Sequence, residues 1–372
     1  MGAKAKHGAE IAPLAARLKD RIAGDGPISV HDYMQACLGD RAAGYYLTRQ
    51  PIGREGDFIT APEISQMFGE LIGVWVAAVW QGMGAQPVIV GELGPGRGTL
   101  LADALRVFKT VPGLLEHMTL ALIETSPVLR EAQRATLHDS PARLQWFERI
   151  DDVPQGPLIL VANEFVDALP VRQFVRSGGV WRERAVTLGA DGGFAFCEGA
   201  AVASDFLPTA FRGMTAEDGD IAETRPAASA LLQVLARRAD DAPVAALVAD
   251  YGHAQSGFGD TLQAVRAHRY ADPRAHPGET DLTAHVDFAA LKAEATSLGL
   301  AAYGPMQQGE FLLRLGLEAR LARLSRDATP AVKESLLSGA ARLTDPRQIG
   351  ALFKVLALQS SGLAPPPPFG DI

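Results

Sequence analysis

The sequence predicts an α/β fold in which helices cover both faces of a mostly parallel β-sheet. Short apolar runs alternate with amphipathic helical patterns from Pro87 onwards, and this alternation is typical of parallel strands joined by crossover helices. A second observation is the run from Val88 to Thr99, in which three apolar residues lead to glycines at alternate positions. That order fits a buried strand, a tight turn and a helix that starts near Thr99.

Apolar residues at helical spacing predict a helical lid region before the sheet. Its first helix runs from Ile11 to Ile22, and its second, capped by Ser29 or by His31-Asp32, ends at Leu38. A third helix is expected from Pro62 to Trp80, because proline suits a first helical turn.

Parallel strands and an antiparallel insertion are predicted after the lid. Buried apolar runs predict strands at Val88 to Leu93, Thr119 to Ile123, Leu144 to Phe147, Leu158 to Ala162 and Val244 to Ala249. Runs separated by glycine turns predict a meander at Val171 to Arg176, Val180 to Leu188 and Phe194 to Glu198. A flexible polar loop, Thr215 to Thr224, and a helix, Ala227 to Ala239, are expected to follow.

The C-terminal part is predicted to be mainly helical. One strand is expected from Thr261 to Arg269, followed by helices at Val286 to Leu298, Glu310 to Leu324, Val332 to Leu343 and Ile349 to Phe353. The prolines from Pro365 to Pro368 predict an extended, disordered tail. The predicted regions are a helical lid (1–84), the first part of the sheet domain (85–200), an inserted loop and helix (201–242), the remaining sheet domain with C-terminal helices (243–360) and the tail (361–372).

Composition and charge restrict the class of function. The 372 residues are 47% hydrophobic and 21% charged, which is typical of a soluble globular protein with one large or two ordinary domains. The net charge of −8 argues against sequence-independent binding of nucleic acid. The longest apolar stretch, Leu71 to Trp80, is about half of a membrane span and predicts a buried helix. With no secretory signal in the sequence, the cytoplasm is the expected location.

No metal site is expected. Cys37 and Cys197 are far apart in the sequence, which predicts two reduced thiols rather than a disulfide or a thiolate metal centre. His276, Asp281 and His285 do not form a recognised metal motif.

The glycine turn predicts a nucleotide-like ligand that lies close to the backbone, because glycine tolerates positive φ and leaves room for a ligand. Gly94, Gly96 and Gly98 form the spacing G-x-G-x-G. The dinucleotide fingerprint needs a glycine at position 99, where the chain has Thr99. The pattern therefore favours S-adenosylmethionine, which has no pyrophosphate, and a turn without a ligand is the alternative.

Two acidic residues at strand ends are candidate ligands of this cofactor. Glu124 closes the second strand, where a carboxylate can accept both ribose hydroxyls; a helix cap or a solvated acid is the alternative. Glu92 lies just before the glycine turn and is predicted to pair with the ammonium of the methionine part. An ion pair with a local arginine such as Arg97 is the alternative for Glu92.

The segment from Asn163 to Pro170, at the carboxyl end of the fourth strand, supplies candidate catalytic residues. Glu164 and Asp167 are three positions apart, which would place them on one face of a first helical turn. A carboxylate pair can hold a guanidinium through charge-assisted hydrogen bonds, whereas the simpler interpretation is a helix start favoured by the helix dipole. Asn163 is assigned to the cofactor. The Asn-Pro-Pro-Tyr sequence common in enzymes that methylate nucleobases is absent here.

Two further groups are candidate lid or substrate residues. Asp57, Phe58, Thr60 and Glu63 precede the sheet and predict a lid over the cofactor, with a capped helix start as the alternative. Asp250, His253 and His285 lie near strand ends, where the histidines are candidate bases or hydrogen-bonded scaffold.

Several segments resemble the MidA family in the same order along the chain. They are Gly56 to Ser65, Phe68-Gly69-Glu70, Gly91 to Gly98, Asn163 to Pro170, Asp250-Tyr251-Gly252 and Asp281 to Phe288. The resemblance extends from about Gly26 to Phe353. It implies a Rossmann-like class I methyltransferase that uses S-adenosylmethionine.

The mitochondrial members of that family are complex I assembly factors, linked to symmetric dimethylation of an arginine in a core subunit. The resemblance thus implies methylation of arginine in a protein substrate, with a complex I subunit as one candidate. A bacterial cytoplasmic protein is expected, because no clear transit peptide is present. The lid and the insertion are predicted to frame a groove for the substrate. A non-catalytic assembly chaperone and a nicotinamide-dependent oxidoreductase are the alternatives.

Overall fold

A helical region precedes the central sheet. The computed structural model describes residues 13–48, 60–203, 206–211, 213–266 and 269–370. The first elements are α1 (Leu14–Asp25), β1 (Ile28–Ser29), α2 (Val30–Gly39), α3 (Tyr45–Thr48), α4 (Ala61–Ile64) and α5 (Gln66–Gly82). Ser29 caps α2 by accepting the N–H of Asp32, as predicted. The single helix predicted from Pro62 to Trp80 is wrong, because Ser65 is extended and its hydroxyl caps the start of α5.

The parallel strands lie where the apolar runs predict them. The elements of this part are β2 (Val88–Leu93), α6 (Thr99–Phe108), α7 (Leu114–His117), β3 (Met118–Ile123), α8 (Pro127–Thr136), β4 (Arg143–Phe147) and β5 (Leu158–Asn163). β2 lies between β3 and β5, and β4 follows β3 at the edge.

The insertion is an antiparallel sheet followed by a helix. Its elements are β6 (Arg172–Ser177), β7 (Val180–Leu188), β8 (Phe194–Val202), β9 (Ile221–Thr224) and α9 (Pro226–Ala239). The meander of β6, β7 and β8 is confirmed. The flexible loop predicted for Thr215 to Thr224 is wrong at its end, because β9 pairs with β6 and buries Ala222 in a small aromatic core.

The last third completes the central sheet. Its elements are β10 (Val244–His253), β11 (Gln263–Arg266), β12 (Arg269–Ala271), β13 (Asp281–Thr283), β14 (Val286–Asp287), α10 (Phe288–Ser297), β15 (Ala301–Gln307), α11 (Gln308–Arg314), α12 (Leu317–Ser325), α13 (Pro330–Thr344), α14 (Ile349–Leu352) and β16 (Phe353–Gln359). The sheet order is β15-β16-β10-β5-β2-β3-β4, with β14 paired to β10. β16 is antiparallel to both neighbours, whereas the β4-β3-β2-β5-β10 ladder is parallel.

Several C-terminal predictions need correction. The helix predicted from Glu310 to Leu324 is two helices, because Gly316 takes a φ of +98° between α11 and α12. The predicted strand from Thr261 to Arg269 is replaced by the separate strands β11 and β12, which pair with each other. The helix predicted from Val286 starts only at Phe288, since the preceding pair of residues joins the sheet. The tail is ordered as far as the structure describes it: the ring of Phe369 packs against Phe311 of α11 with centroids 5.8 Å apart.

Close packing joins the lid to the sheet domain through α5 and α6. A Cβ atom on Gly69 would lie 2.7 Å from Cβ of Asp103 and 2.8 Å from the carbonyl oxygen of Leu100. The next residue, Glu70, is buried and accepts two hydrogen bonds from Arg320 of α12. The sequence Phe68-Gly69-Glu70 therefore fixes the position of α5 between two other helices.

The Gly69→Ala variant is expected to unfold more easily, because its methyl group meets the backbone of α6. We expect a loss of about 1–3 kcal/mol in the free energy of unfolding, measured with urea. Gly82→Ala on the same helix is the control, since nothing lies within 4 Å of its Cβ position. That control should be neutral or stabilising by up to about 1 kcal/mol. Equal effects of the two substitutions would contradict the packing argument.

Candidate functional site

The glycine turn lies at the carboxyl end of β2, next to the ends of β3 and β5. Gly94, Gly96 and Gly98 all have positive φ, at +60°, +55° and +83°. The N–H of Gly94 donates to the carbonyl of Ile123 at 3.0 Å, which ties the turn to β3. A Cβ atom on Gly94 would lie 2.9 Å from the ring of Phe165, so the turn also abuts the segment after β5. The turn thus needs glycine for its backbone conformation and for its packing.

Gln133 of α8 connects the turn to the end of β3. It is fully buried, and its amide group donates to the carbonyl of Gly96 at 2.9 Å and to Glu124 at 3.3 Å. Its carbonyl oxygen accepts from the indole of Trp146 at 2.9 Å. Sequence reasoning missed Gln133. The available signal was a polar residue one turn from Leu129 on the apolar face of α8.

Glu124 is buried and partly hydrogen-bonded. One carboxylate oxygen accepts the N–H of Ser126 at 2.8 Å, and Ser126 itself caps α8. Burial raises the pKa of Glu124, and hydrogen bonds from the backbone and from Gln133 oppose that shift. The side chain is therefore not a solvated loop acid, and the cap of the next helix is Ser126.

Two buried polar atoms next to the glycine turn have no hydrogen-bond partner among the described residues: Oε2 of Glu92 and Oδ1 of Asn163. Burial raises the pKa of Glu92 to about 8, and the neighbouring Glu124 adds to the increase. Arg97 lies instead 3.9 Å from Glu63, so it is drawn away from Glu92 towards the lid. A buried carboxylate oxygen and a buried amide oxygen without partners fit a ligand that carries a positive charge or N–H donors.

The residues at the ends of β2, β3 and β5 thus fit S-adenosylmethionine. Glu92 and Asn163 are suited to its amino-acid part, and Glu124 to its ribose hydroxyls. The glycine turn leaves the backbone open to close approach.

Asp250 holds the segment that follows β5. Its side chain is fully buried, and one oxygen accepts the N–H groups of Phe165, Val166 and Asp167 at 3.2, 2.8 and 3.2 Å. The other oxygen accepts the N–H of Tyr251 at 2.8 Å. Burial and the nearby Asp167 raise the pKa of Asp250, while the amide N–H groups oppose the increase. Asp250 was predicted to face the lid or substrate, but it lies beneath the segment as a support.

Glu164 and Asp167 lie together in a turn and not on a helix. The prediction of a first helical turn is wrong, because Glu164 has a φ of +50° and the residues after it form turns and no helix. One oxygen of Glu164 accepts the N–H of Ala61 at 2.8 Å. Burial raises the pKa of Glu164 to about 7 and that of Asp167 to about 6, and the charge of Arg225 restrains the second shift. Perturbed carboxyl groups of this kind are typical of functional sites.

Helix α4 bridges the two halves of the site. Thr60 is the N-cap residue of α4, and the next residue, Ala61, is the donor to Glu164. Glu63 accepts the hydroxyl of Thr99 at 2.6 Å, at the start of α6. The lid is therefore attached both to the glycine turn and to the acidic segment. Asp57 and Phe58, which were predicted to belong to the lid, lie outside the described residues.

His253 and His285 are separated from this cluster by a layer of backbone. The ring of His285 packs edge-on against Tyr251 with centroids 4.2 Å apart, and burial lowers its pKa. Nδ1 of His253 lies 2.6 Å from the carbonyl oxygen of Gln255. Both histidines line a cavity of about 820 Å³ between the insertion and the sheet domain.

Two other types of site are absent from the described part of the chain. No three His, Cys, Asp or Glu side chains converge there in a way that would hold a metal ion. No helix there has the length and apolar composition needed to cross a membrane.

Comparisons with known proteins agree with this geometry. A crystal structure from Burkholderia thailandensis, a COG1565 superfamily member bound to S-adenosyl-homocysteine, superposes with a TM-score of 0.82 and 30% identity. The match covers 95% of this chain and 93% of that one. The protein arginine methyltransferase NDUFAF7 homolog of Drosophila melanogaster, named mitochondrial, is 38% identical over 94% of this chain and 86% of its own. The human NDUFAF7 is 35% identical over 94% of this chain and 83% of its own.

The fold and the site define a Rossmann-like methyltransferase that uses S-adenosylmethionine. The chain belongs to the family described as "Putative S-adenosyl-L-methionine-dependent methyltransferase", whose model matches residues 71–306.

The Gly96→Val variant is expected to bind S-adenosyl-homocysteine at least about tenfold more weakly, because the branched side chain strains a positive φ and fills the approach to the turn. Isothermal titration calorimetry measures the affinity. The matched control is Gly192→Val, which has a φ of +74° and nothing within 4 Å of its Cβ position in the β7–β8 turn. The control should bind within twofold of wild type. A folded Gly96→Val protein with wild-type affinity would exclude the turn from the cofactor site.

Proposed function

We propose that this protein transfers a methyl group from S-adenosylmethionine to a guanidinium nitrogen of an arginine in a protein substrate. The observation that carries the proposal is the pair of carboxyl groups, Glu164 and Asp167, at the strand end next to the glycine turn. The names of the relatives from Drosophila melanogaster and Homo sapiens, both protein arginine methyltransferases, support it.

The cofactor residues proposed here are Glu92, Asn163 and Glu124 with the glycine turn. S-adenosylmethionine, when bound, supplies a methyl group on a sulfonium centre. Glu92 would ionise beside the ammonium of that ligand, since a nearby positive charge offsets the burial that raises its pKa. The orphan oxygen of Asn163 would accept an N–H donor from the same part of the ligand.

The carboxylates would bind and orient the accepting group. A guanidinium has a pKa above about 12 and five N–H donors in a planar fork, so two carboxylates can fix its orientation without removing its proton beforehand. Orientation by fixed charges lowers the barrier without any reorganisation of the site. Glu164, with a pKa of about 7, is suited to accept the proton that the nitrogen releases after methylation.

The partner and the location complete the proposal. The chain acts on a protein in the cytoplasm of a bacterium, and a respiratory complex I subunit is the first substrate to test. Relatives from several animals are named mitochondrial, which describes those proteins. The two cysteines are free, as suits a reducing compartment.

The Glu164→Gln variant should lose methyl transfer but keep cofactor binding. The amide oxygen can still accept the N–H of Ala61, so the turn is preserved, whereas the negative charge towards the guanidinium is lost. We expect roughly a 100-fold lower rate, as estimated from the loss of one partner of a charged pair. The measurement is transfer of tritiated methyl groups to proteins of a lysate from cells that lack this gene, followed by mass spectrometry of the products.

The control is Glu131→Gln, a change to an exposed carboxylate on α8. The rate of methyl transfer and the affinity for the cofactor should both stay within twofold of the wild-type values. Unchanged transfer by Glu164→Gln would refute the acceptor role. Cofactor binding by the wild-type protein without transfer to any protein would favour the assembly chaperone, and preferential binding of a nicotinamide dinucleotide would favour the oxidoreductase.

The pH dependence of kcat/KM should follow the two carboxyl groups. Their pKa values of about 7 and about 6 lie above the ordinary range, so both are ionised only at higher pH. Activity should therefore be low below pH 6, rise across pH 6 to 7 and level off above, because the guanidinium stays charged throughout. The two titration steps belong to the coupled pair of carboxyl groups and are not assigned to one residue each. Glu164→Gln should leave a single step in its residual activity, and a flat profile in the wild type would contradict the assignment.

A further inference from the structure

A second concave surface lies between the insertion and the sheet domain. It is the cavity of about 820 Å³, a volume within the range of roughly 300–1,000 Å³ that ligand sites occupy. The start of α9 forms one side, α10 another, and residues 253–261 a third. Its mouth reaches the surface, because Phe206 is 49% exposed and both Ala293 and Ser297 of α10 are exposed. The cavity is thus accessible from outside in the described part of the chain.

One wall of the cavity is aromatic. Phe206, Phe211 and Phe258 line it, and the rings of Phe211 and Phe258 stack with centroids 5.4 Å apart. Trp181 packs against Phe258 with centroids 5.5 Å apart, so the position of Phe258 is supported by a second aromatic ring. Such a surface favours apolar side chains of a ligand.

Three carboxylates also line the cavity: Glu294, Asp287 and Glu223. Glu294 accepts the hydroxyl of Ser229 at 2.8 Å. Asp287 caps α10 with one oxygen, and its second oxygen has no partner among the described residues. Glu223 accepts hydrogen bonds from Gln173 and Thr261.

The cations of the cavity are already engaged. Arg172 makes two hydrogen bonds to Glu183, at 2.8 and 2.9 Å. Arg225 is buried and donates to the carbonyls of Leu169, Ala284 and His285. Arg225 keeps its charge and acts on Glu223 and Asp287, whereas Glu294 has only a neutral hydroxyl as its partner. Because Arg172 is paired with Glu183, the three carboxylates outnumber the one remaining arginine, and the surface attracts a positively charged side chain.

The wall of the cavity is bonded to the backbone that carries the acceptor carboxylates. Arg225 lines the cavity, and the carbonyls that it binds belong to the residues around Asp167. Ala284 in turn donates its N–H to the carbonyl of Asp167 at 3.1 Å. One layer of backbone thus separates the cavity from the carboxylates. A ligand here would lie beside the accepting arginine and would not replace it.

We infer that this cavity binds the substrate polypeptide beside the accepting arginine and selects a segment with a lysine or second arginine next to an apolar residue. The inference rests on the proposed function. The aromatic wall takes the apolar side chain, and Glu294 and Asp287 face the cation. Specificity is thus set by residues that take no part in the methyl transfer itself.

The test uses two fluorescein-labelled nonapeptides with the full-length protein saturated with S-adenosyl-homocysteine. Both have a central arginine flanked by leucine, and they differ only in having lysine or glutamate at the two neighbouring positions. Fluorescence anisotropy should show the lysine peptide binding at least tenfold more tightly. Glu294→Lys should reduce that preference at least tenfold, whereas Glu318→Lys, an exposed change on α12, should leave it within twofold.

A second pair of variants tests occupancy of the cavity. Ala290→Trp places an indole in the cavity and should weaken binding of the lysine peptide at least tenfold, whereas Thr296→Trp on the exposed side of α10 should not. All four variants should keep their affinity for S-adenosyl-homocysteine, which checks that they are folded. If the wild-type protein binds both peptides equally tightly, or binds neither of them, the inference is overturned.

The two proposals fail in distinguishable ways. Methyl transfer to the lysine peptide that neither Glu294→Lys nor Ala290→Trp affects would overturn the docking site and leave the reaction intact. Peptide binding that depends on the cavity, without methyl transfer to any arginine peptide or lysate protein, would support the docking site and remove the proposed reaction.

Discussion

The buried side chain of Asp250 fixes the conformation of the segment that carries Glu164 and Asp167. Its carboxylate accepts the N–H groups of Phe165, Val166 and Asp167, and it thereby fixes the backbone directly after Glu164, which has a φ of +50°. A non-glycine residue in that conformation costs about 1–2 kcal/mol, which the surrounding hydrogen bonds must offset. The strain is thus located at the residue to which the proposal gives the acceptor role.

That same segment contacts both the glycine turn and the lid. Phe165 closes on the glycine turn, and Glu164 receives the N–H of Ala61 from the lid. Glu63 ties the other side of α4 to the start of α6. The Gly69 contact and the buried pair of Glu70 with Arg320 hold α5, which follows directly, in a fixed position.

Several elements were predictable from the sequence because their signals are local. The strands β2, β3 and β5 are largely apolar runs, and Ser29 is a cap residue directly before a helical pattern. The strand β16 was missed although Val355 to Leu358 is a buried apolar run. A short apolar run does not distinguish a strand from the end of a helix, and the pairing with β10 that decides the matter is made with residues more than a hundred positions away.

The residues of the candidate site also divide into those with a local sequence signal and those placed by long-range contacts. The sequence by itself determined the glycine turn, Glu92, Glu124 and the acidic segment, because each follows directly on an apolar strand and parallel strands end at one edge. Only the tertiary structure decided that Asp250 is a support, that Gln133 connects the turn to Glu124, and that Glu63 accepts the hydroxyl of Thr99. These roles depend on hydrogen bonds between residues that are far apart in the sequence. The raised pKa of Glu164 likewise depends on its burial, which only the folded protein provides.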